Sequence, residues 1–375
     1  MKNICRRIFM KICIDGIGAS KLSGTDMFSY TRELLSTINS SNKFTQVFTV
    51  WDNFPLKKYF VRLQNINYIP LNIDRTSSNY DDLVSFLKES SIDIYHSPNN
   101  GFSIPKEKYC RYICTIHSLY PVKHKKFTDE SYYNKFTSIV PNSLENCDKI
   151  IAVSEFTKQE LISEYNADEN KIAVVNPKCS PIFINMGTDF SLSFLKKHYN
   201  ISRPFIFYAG SITERKMLDK IIMLLKEINK KNNNIDLVIA GCYKGKREPY
   251  YKKIKDLIIE NHLEDNVHFL GKIKFSHMPV FYTAAICTID FSTYNDFPLS
   301  IIEAINCSSF VLCNKTPTNT TLLKKAVVYT NFDDFNLASD IIVSAENDIN
   351  VKMKIISLLS KPVLTTDEDT LAIYD

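Results

Sequence analysis

Arg215 and Lys216 follow a glycine turn in PFIFYAGSITERKM and lead into an amphipathic stretch. Two cations at a helix N-terminus make an anion site able to hold a diphosphate without a metal, though the same pair also fits a solvated basic surface. In NDFPLSIIEAINC, Glu303 lies three residues after Ser300. That S-x-x-E spacing is a capping box, but a carboxylate near a helix start can also accept hydrogen bonds from sugar or ribose hydroxyls. His96 ends IDIYHS and His117 ends YICTIH. Both rings are expected at a cleft edge, where a histidine can donate to a hydroxyl or handle a proton; singly, such residues are more often structural. The loop KLSGTDMF offers the backbone N–H groups of Gly24 and Thr25 to a phosphate or acceptor oxygen, or is a plain turn with Thr25 or Asp26 capping a helix.

Other chemistries lack their residues. There is no G-x-x-x-x-G-K-[ST] loop, and GIGAS near Gly16 falls short of G-x-G-x-x-G, which argues against ATPase and nicotinamide readings. The one Asp-x-Asp spacing, Asp367 to Asp369, lies in a polar tail and reads as surface charge, so no metal is expected. Ten cysteines are scattered without a C-x-x-C pair, and most, such as Cys13, Cys114, Cys287 and Cys313, lie in apolar runs as buried free thiols, the pattern of a reduced cytoplasmic chain. A net charge of +5 does not suggest nucleic-acid binding. The cluster Lys123, His124, Lys125 and Lys126 beside aromatics can rest on an anionic membrane face or a lipid-diphosphate acceptor, or be a solvated loop. No apolar run approaches the roughly 18 residues of a membrane span. The N-terminus does not read as a signal peptide, and Met10 is a second candidate start before the strand-like KICIDG.

These residues need a scaffold, and the chain supplies one by alternating short apolar strands with amphipathic helices. Strands are expected at 11–17, 46–51, 66–70, 92–97, 112–117, 149–154 and 171–175, then at 204–210, 235–241, 266–271, 284–292, 309–314 and 326–330. The aperiodic segment NPKCSPIFINMGTD separates the two series. The reading is α/β: two doubly wound Rossmann-like domains, 1–180 and 181–375, facing across a cleft, with the final helix free to pack back on the first domain. Ligands of open parallel sheets sit beyond the strands' carboxyl ends, which selects Gly16, Ser23, Gly24, Thr25, His96, His117, Ser154, Gly210, Gly241, Ser292 and the loop before Glu303.

In order and spacing these segments resemble the retaining family 4 glycosyltransferases of GT-B fold. DIYHSPNN is similar to that family's D-x-x-H-x-P, YICTIHSLYP to its T-i-H-D-l-x-P, FYAGSITERKMLDKII to its G-s-l-x-x-R-K-N-l, and NDFPLSIIEA to its E-G-F-P-L-S-i-l-E-A. The resemblance implies transfer of a hexose from a nucleoside-diphosphate sugar, as co-substrate, to a glycan or lipid-linked precursor of polysaccharide, O-antigen or capsule type. Arg215 and Lys216 would stabilise the leaving diphosphate in place of a metal, His117 would touch the donor sugar and Glu303 the ribose. Gly210, Ser211, Asn295, Asp296, Phe297, Pro298, Leu299 and Ser300 would line the donor site, and Gly24, Thr25, His96 and Ser154 the acceptor or phosphate loop. The implied location is cytoplasmic, with peripheral contact at the inner membrane face left open. The chain departs from the family at Asn295, where Glu is usual, at Asp296, where Gly is usual, and at Ser211, often Arg; the P-E usual near Asn319 and Thr320 is absent. The first carboxylate of the family's pair is thus missing, or displaced by one residue into Asp296; the amide at 295 can hydrogen-bond a sugar but cannot stabilise positive charge at an anomeric carbon. A catalytically silent paralogue that binds nucleotide or glycan is the alternative, and an epimerase of the same fold ranks behind both.

Overall fold

The computed structural model describes residues 10–22, 25–51, 63–71, 73, 80–330 and 335–375. The candidates Ser23 and Gly24 and the extension before Met10 lie outside the described residues. The chain forms two compact units: residues 1–178 with 364–375, and residues 179–363. The last dozen residues thus join the first unit.

The first unit carries a parallel seven-stranded sheet in the order β3-β2-β1-β4-β5-β6-β7. Its strands are β1 (Lys11–Asp15), β2 (Gln46–Trp51), β3 (Ile66–Pro70), β4 (Ile94–Ser97), β5 (Arg111–Ile116), β6 (Lys149–Ala152) and β7 (Ile172–Val174). Side-chain alternation sorts them onto two buried faces. Ile12, Ile14, Ile94, Ile113 and Ile151 pack with Tyr30, Leu34 and Ile38 of the helix Asp26–Ser40. On the other face Cys13, Tyr95, Tyr112 and Cys114 meet Leu83, Phe136, Val140 and Leu161 from three further helices.

The second unit repeats the scheme with six parallel strands, β8 (Phe205–Ala209), β9 (Asp236–Ala240), β10 (Val267–Gly271), β11 (Thr288–Asp290), β12 (Val311–Cys313) and β13 (Val328–Tyr329), ordered β10-β9-β8-β11-β12-β13. Every strand falls inside its expected range except that β5 starts one residue early. At the end of β9 the backbone of Gly241 passes so close to β8 that an added Cβ would sit 1.7 Å from the Gly210 carbonyl oxygen.

One expectation for the first unit is corrected. His96 does not emerge at an edge: it is fully buried, with Nδ1 2.7 Å from the Tyr374 hydroxyl and Nε2 2.8 Å from Thr115 Oγ1. Burial, then the nearby His117, pushes its pKa down to about 3 against a weaker pull from Asp15, so the ring is neutral. The physical reason is position, since His96 is an inner residue of β4, paired with Ile113, rather than the residue after it. Asp367 and Asp369 do lie at the surface, and there they also serve a helix. They start the helix Asp367–Ala372, where Thr366 and Asp369 form a capping box and Asp367 accepts from Thr37 Oγ1 at 3.0 Å and from Lys178.

Two outcomes follow from these contacts. Gly241→Ala should cost about 3 kcal/mol or more, because the obstructing atoms are backbone and cannot rotate away; chemical denaturation followed by circular dichroism measures it. For His96, the folded pKa lies below the ordinary 6.5, so the neutral ring adds stability that is complete above 6.5 and lost as pH falls toward 3. His96→Gln should therefore flatten the fall in melting temperature across that window, whereas an unchanged slope would show that His96 does not carry it.

Candidate functional site

The second unit builds its site from the carboxyl ends of β8 and β11. Beyond β8, Gly210 still bonds to Ala240 O at 2.9 Å, and the Tyr208 hydroxyl donates to Ser211 O at 2.9 Å, which closes the turn. A short 3-10 turn, Glu214–Lys216, follows, and Met217 at φ +50° redirects the chain into the helix Leu218–Lys231. A non-glycine residue in that region costs roughly 1–2 kcal/mol. The kink sets Arg215 and Lys216 just ahead of the helix N-terminus, whose first N–H groups have no partners within the helix.

Both cations are tied to the segment after β11. Arg215 Nη1 donates to Tyr294 O at 2.9 Å, and its own carbonyl accepts from Thr293 N at 2.9 Å. Lys216 is 8% exposed, with Nζ 3.5 Å from Asp290 Oδ2 and 3.3 Å from Asn295 Oδ1. Asp290 in turn accepts at Oδ1 from Ser292 N, at 2.8 Å, and from the Ser292 hydroxyl. Burial alone would raise the Asp290 pKa, but Lys216, the Ser292 bonds and Arg215 outweigh it and hold the carboxyl below its ordinary value. Asn295 is 6% exposed, and its Nδ2 has no hydrogen-bond partner among the described residues. Since the ammonium draws the amide oxygen, the orphaned N–H faces away from Lys216. A buried donor without a partner costs about 1–3 kcal/mol unless a ligand or water supplies an acceptor.

The rest of the NDFPLSIIEA segment departs from expectation. The helix runs Leu299–Asn306 with Pro298 at its N-cap and no side-chain cap bond, so Ser300 is its second residue and does not cap it. The cause is the turn at Phe297–Leu299, closed by Leu299 N on Phe297 O at 3.0 Å, which starts the helix before Ser300 is reached. Glu303 accordingly falls in the second turn, not the first; it is buried and accepts from the Tyr282 hydroxyl at 3.2 Å. Phe297, Pro298 and Leu299 are buried as well. The Asp296 carboxylate accepts from the Tyr294 hydroxyl at 3.0 Å. Asp290, which sequence reasoning missed, is the carboxylate on Lys216, and a charged residue ending the apolar run AAICTID was the available signal.

In the first unit His117 is the residue after β5. Its N–H donates to Asn100 Oδ1 at 2.7 Å, and Nε2 lies 2.8 Å from Pro98 O. A carbonyl only accepts, so Nε2 carries the proton and Nδ1 presents the lone pair. The ring is buried edge-on against Tyr30, with centroids 4.8 Å apart, and burial lowers its pKa despite the Pro98 bond and Asp26. Ser154 is fully occupied as a cap: it is buried and accepts from Thr157 N at 3.1 Å, so it is not part of an open loop. Thr25 caps the helix Asp26–Ser40, accepting from Phe28 N at 3.3 Å. In the basic segment Lys123 pairs with Glu164, Lys125 lies over the Tyr133 ring and Phe127 is 56% exposed. Among the described residues no helix is long and apolar enough to cross a membrane, and no group of three or more His, Cys, Asp or Glu could hold a metal.

Comparison with known proteins gives two family matches: the model described as glycosyltransferase family 4 over residues 30–177, and that described as glycosyl transferases group 1 over residues 194–368. The O-antigen chain mannosyltransferase B of Escherichia coli is 23% identical over 221 residues, 59% of this chain and 56% of that protein. The O-antigen chain mannosyltransferase RfbU of Salmonella typhimurium is 22% identical over 220 residues, with the same shares. The chain thus spans little more than half the length of these curated relatives. Among solved structures, a sucrose-phosphate synthase from Thermosynechococcus elongatus superposes with a TM-score of 0.69 at 16% identity, covering 94% of this chain and 95% of that one. Anabaena HepE, solved with UDP-glucose, gives 0.69 at 14%, with 93% of each chain covered. WaaG, involved in lipopolysaccharide biosynthesis, gives 0.66 at 14%, again with 93% of each. At such identities the likeness is one of fold.

The buried ion pair has a measurable consequence. Lys216→Met leaves the Asp290 carboxylate enclosed without its cation and should cost about 3 kcal/mol, while Lys216→Met with Asp290→Asn should recover most of that loss in thermal melts.

Proposed function

The chain belongs to the family 4-like glycosyltransferases of GT-B fold, and from that premise we propose that it transfers a hexose from a nucleoside-diphosphate sugar to a cell-surface glycan precursor, retaining the anomeric configuration. The observation that carries this reading is the buried Lys216 ammonium beside the orphaned Asn295 N–H at the carboxyl ends of β8 and β11. Both groups are positioned to receive oxygens, and two fixed cations ahead of a helix N-terminus suit the charge that grows on a departing diphosphate. The work of a metal ion then falls to Arg215 and Lys216. In the first unit, the lone pair at His117 Nδ1 suits a hydroxyl donated by the sugar. Glu303 is the carboxylate for ribose hydroxyls, held by Tyr282. With same-face attack the departing phosphate oxygen takes the acceptor proton, so no protein base is assigned.

The names of the relatives favour a mannosyl donor and an O-antigen-type acceptor. Lys125, Lys126 and the exposed Phe127 suit a lipid-linked acceptor at an anionic membrane face. One observation favours the second reading, a silent paralogue: position 295 carries an amide, which leaves a developing positive charge at the anomeric carbon without a carboxylate there.

Purified protein incubated with GDP-mannose, UDP-glucose and UDP-galactose and a lipid-linked acceptor extract should release nucleoside diphosphate from one donor, unaffected by EDTA. Lys216→Met with Asp290→Asn, the pair that retains stability, should lower release at least ~100-fold, about 2.7 kcal/mol in the transition state. Tight nucleotide binding with no release from any donor would favour the paralogue instead.

A further inference from the structure

Asp290 does more than allow Lys216 to be buried. Its carboxylate is itself immobilised, since Oδ1 is taken by both the backbone N–H and the hydroxyl of Ser292, while Oδ2 lies 3.5 Å from Lys216 Nζ. Ser292 is fully buried, and the carbonyls of Phe291 and Ser292 accept from Asn314 Nδ2 at 2.7 and 3.4 Å. The lysine stem is flexible and the carboxylate is not. An anion arriving at Lys216 therefore cannot displace Asp290, and must share the ammonium with a fixed negative charge one ammonium away.

We propose that Asp290 is a positioning residue that tethers Lys216 and limits the grip of the site on nucleoside diphosphate, so that the product can leave. The proposal rests on reading Lys216 as the diphosphate cation. Lys216 Nζ lies beside the Asp290 carboxylate and the neutral Asn295 amide, and Arg215 acts on the same carboxylate. Removing the Asp290 charge makes the surroundings of the ammonium one charge more positive, and the bound diphosphate should then be held more tightly, the reverse of what loss of a merely structural residue would do.

Calorimetric titration of the full chain with UDP, GDP and ADP, at fixed salt, tests this. Asp290→Asn should bind the preferred diphosphate on the order of tenfold more tightly than the wild type. In turnover assays KM and kcat should fall together, and the product should inhibit more strongly. Asp290→Asn combined with Asn295→Asp moves the carboxylate to the other partner of Lys216 and should return affinity to near the wild-type value. Equal or weaker binding by Asp290→Asn overturns the proposal. Should that variant not fold, Asn295→Asp alone, shown by circular dichroism to be folded, places a second carboxylate on Lys216 and should bind about tenfold more weakly; equal or tighter binding overturns the proposal equally. A wild-type protein that binds none of the three diphosphates at millimolar concentration removes the diphosphate reading itself, and this inference with it.

Discussion

A buried ammonium is expensive unless carboxylate and carbonyl partners replace its water, and the second unit is arranged around meeting that demand at Lys216. The partners come from residues 290 and 295, far along the chain from 216, so β8 and β11 must lie side by side, and they do. The Met217 kink, the Arg215 bonds to Thr293 and Tyr294, and the glycine at 241 that lets β9 approach the Gly210 turn all serve the same placement. Fold and site are here one constraint, because the strand order that covers the sheet with helices also brings the partners of the ammonium together.

The first unit meets a related demand without charge. His96, Thr115, Tyr30 and Tyr374 form a chain of buried hydrogen bonds in which each hydroxyl can donate or accept, so the neutral imidazole is satisfied at both nitrogens. His117 lies against the same Tyr30 ring but is one residue beyond its strand, and only one of its nitrogens is bonded to the backbone. The first histidine has both ring nitrogens bonded within the fold, whereas for the second only the Nε2 bond to Pro98 O is seen among the described residues.

That one-residue difference also marks the limit of what the sequence makes legible. Apolar runs such as KICID and FIFYA identify strands well, because both faces of a parallel sheet are buried and each run must be continuous. They do not say where a strand ends to within one residue, and that decides whether a histidine faces the core or the strand end. The helix Glu130–Asn146 buries Phe136, Ile139, Val140, Ser143 and Leu144 at helical spacing, but Pro141 inside that stripe argues against a helix in the sequence, and Thr188–Tyr199 starts within the aperiodic linker. Capping spacings misled in both directions. Ser300 and Glu303 have the box spacing without forming it, because a proline turn begins the helix first, while Thr366 and Asp369 form one in a tail that reads as mere charge. The residues of the NDFPLS segment were legible from resemblance to the family; their hydrogen bonds were not.

The substitution at 295 takes on a different meaning beside Asp290. With glutamate at 295 and Asp290 unchanged, two carboxylates would share one buried ammonium, and each would weaken the hold of the other on it. With an amide at 295, Asp290 is the carboxylate on Lys216. The amide also changes the hydrogen-bond polarity at 295. A glutamate at 295 would accept hydrogen bonds, whereas the Asn295 amide, its oxygen claimed by Lys216, has only a donor left to offer. Any group facing that N–H must present a lone pair. The departure from the family pattern therefore exchanges an acceptor for a donor at position 295.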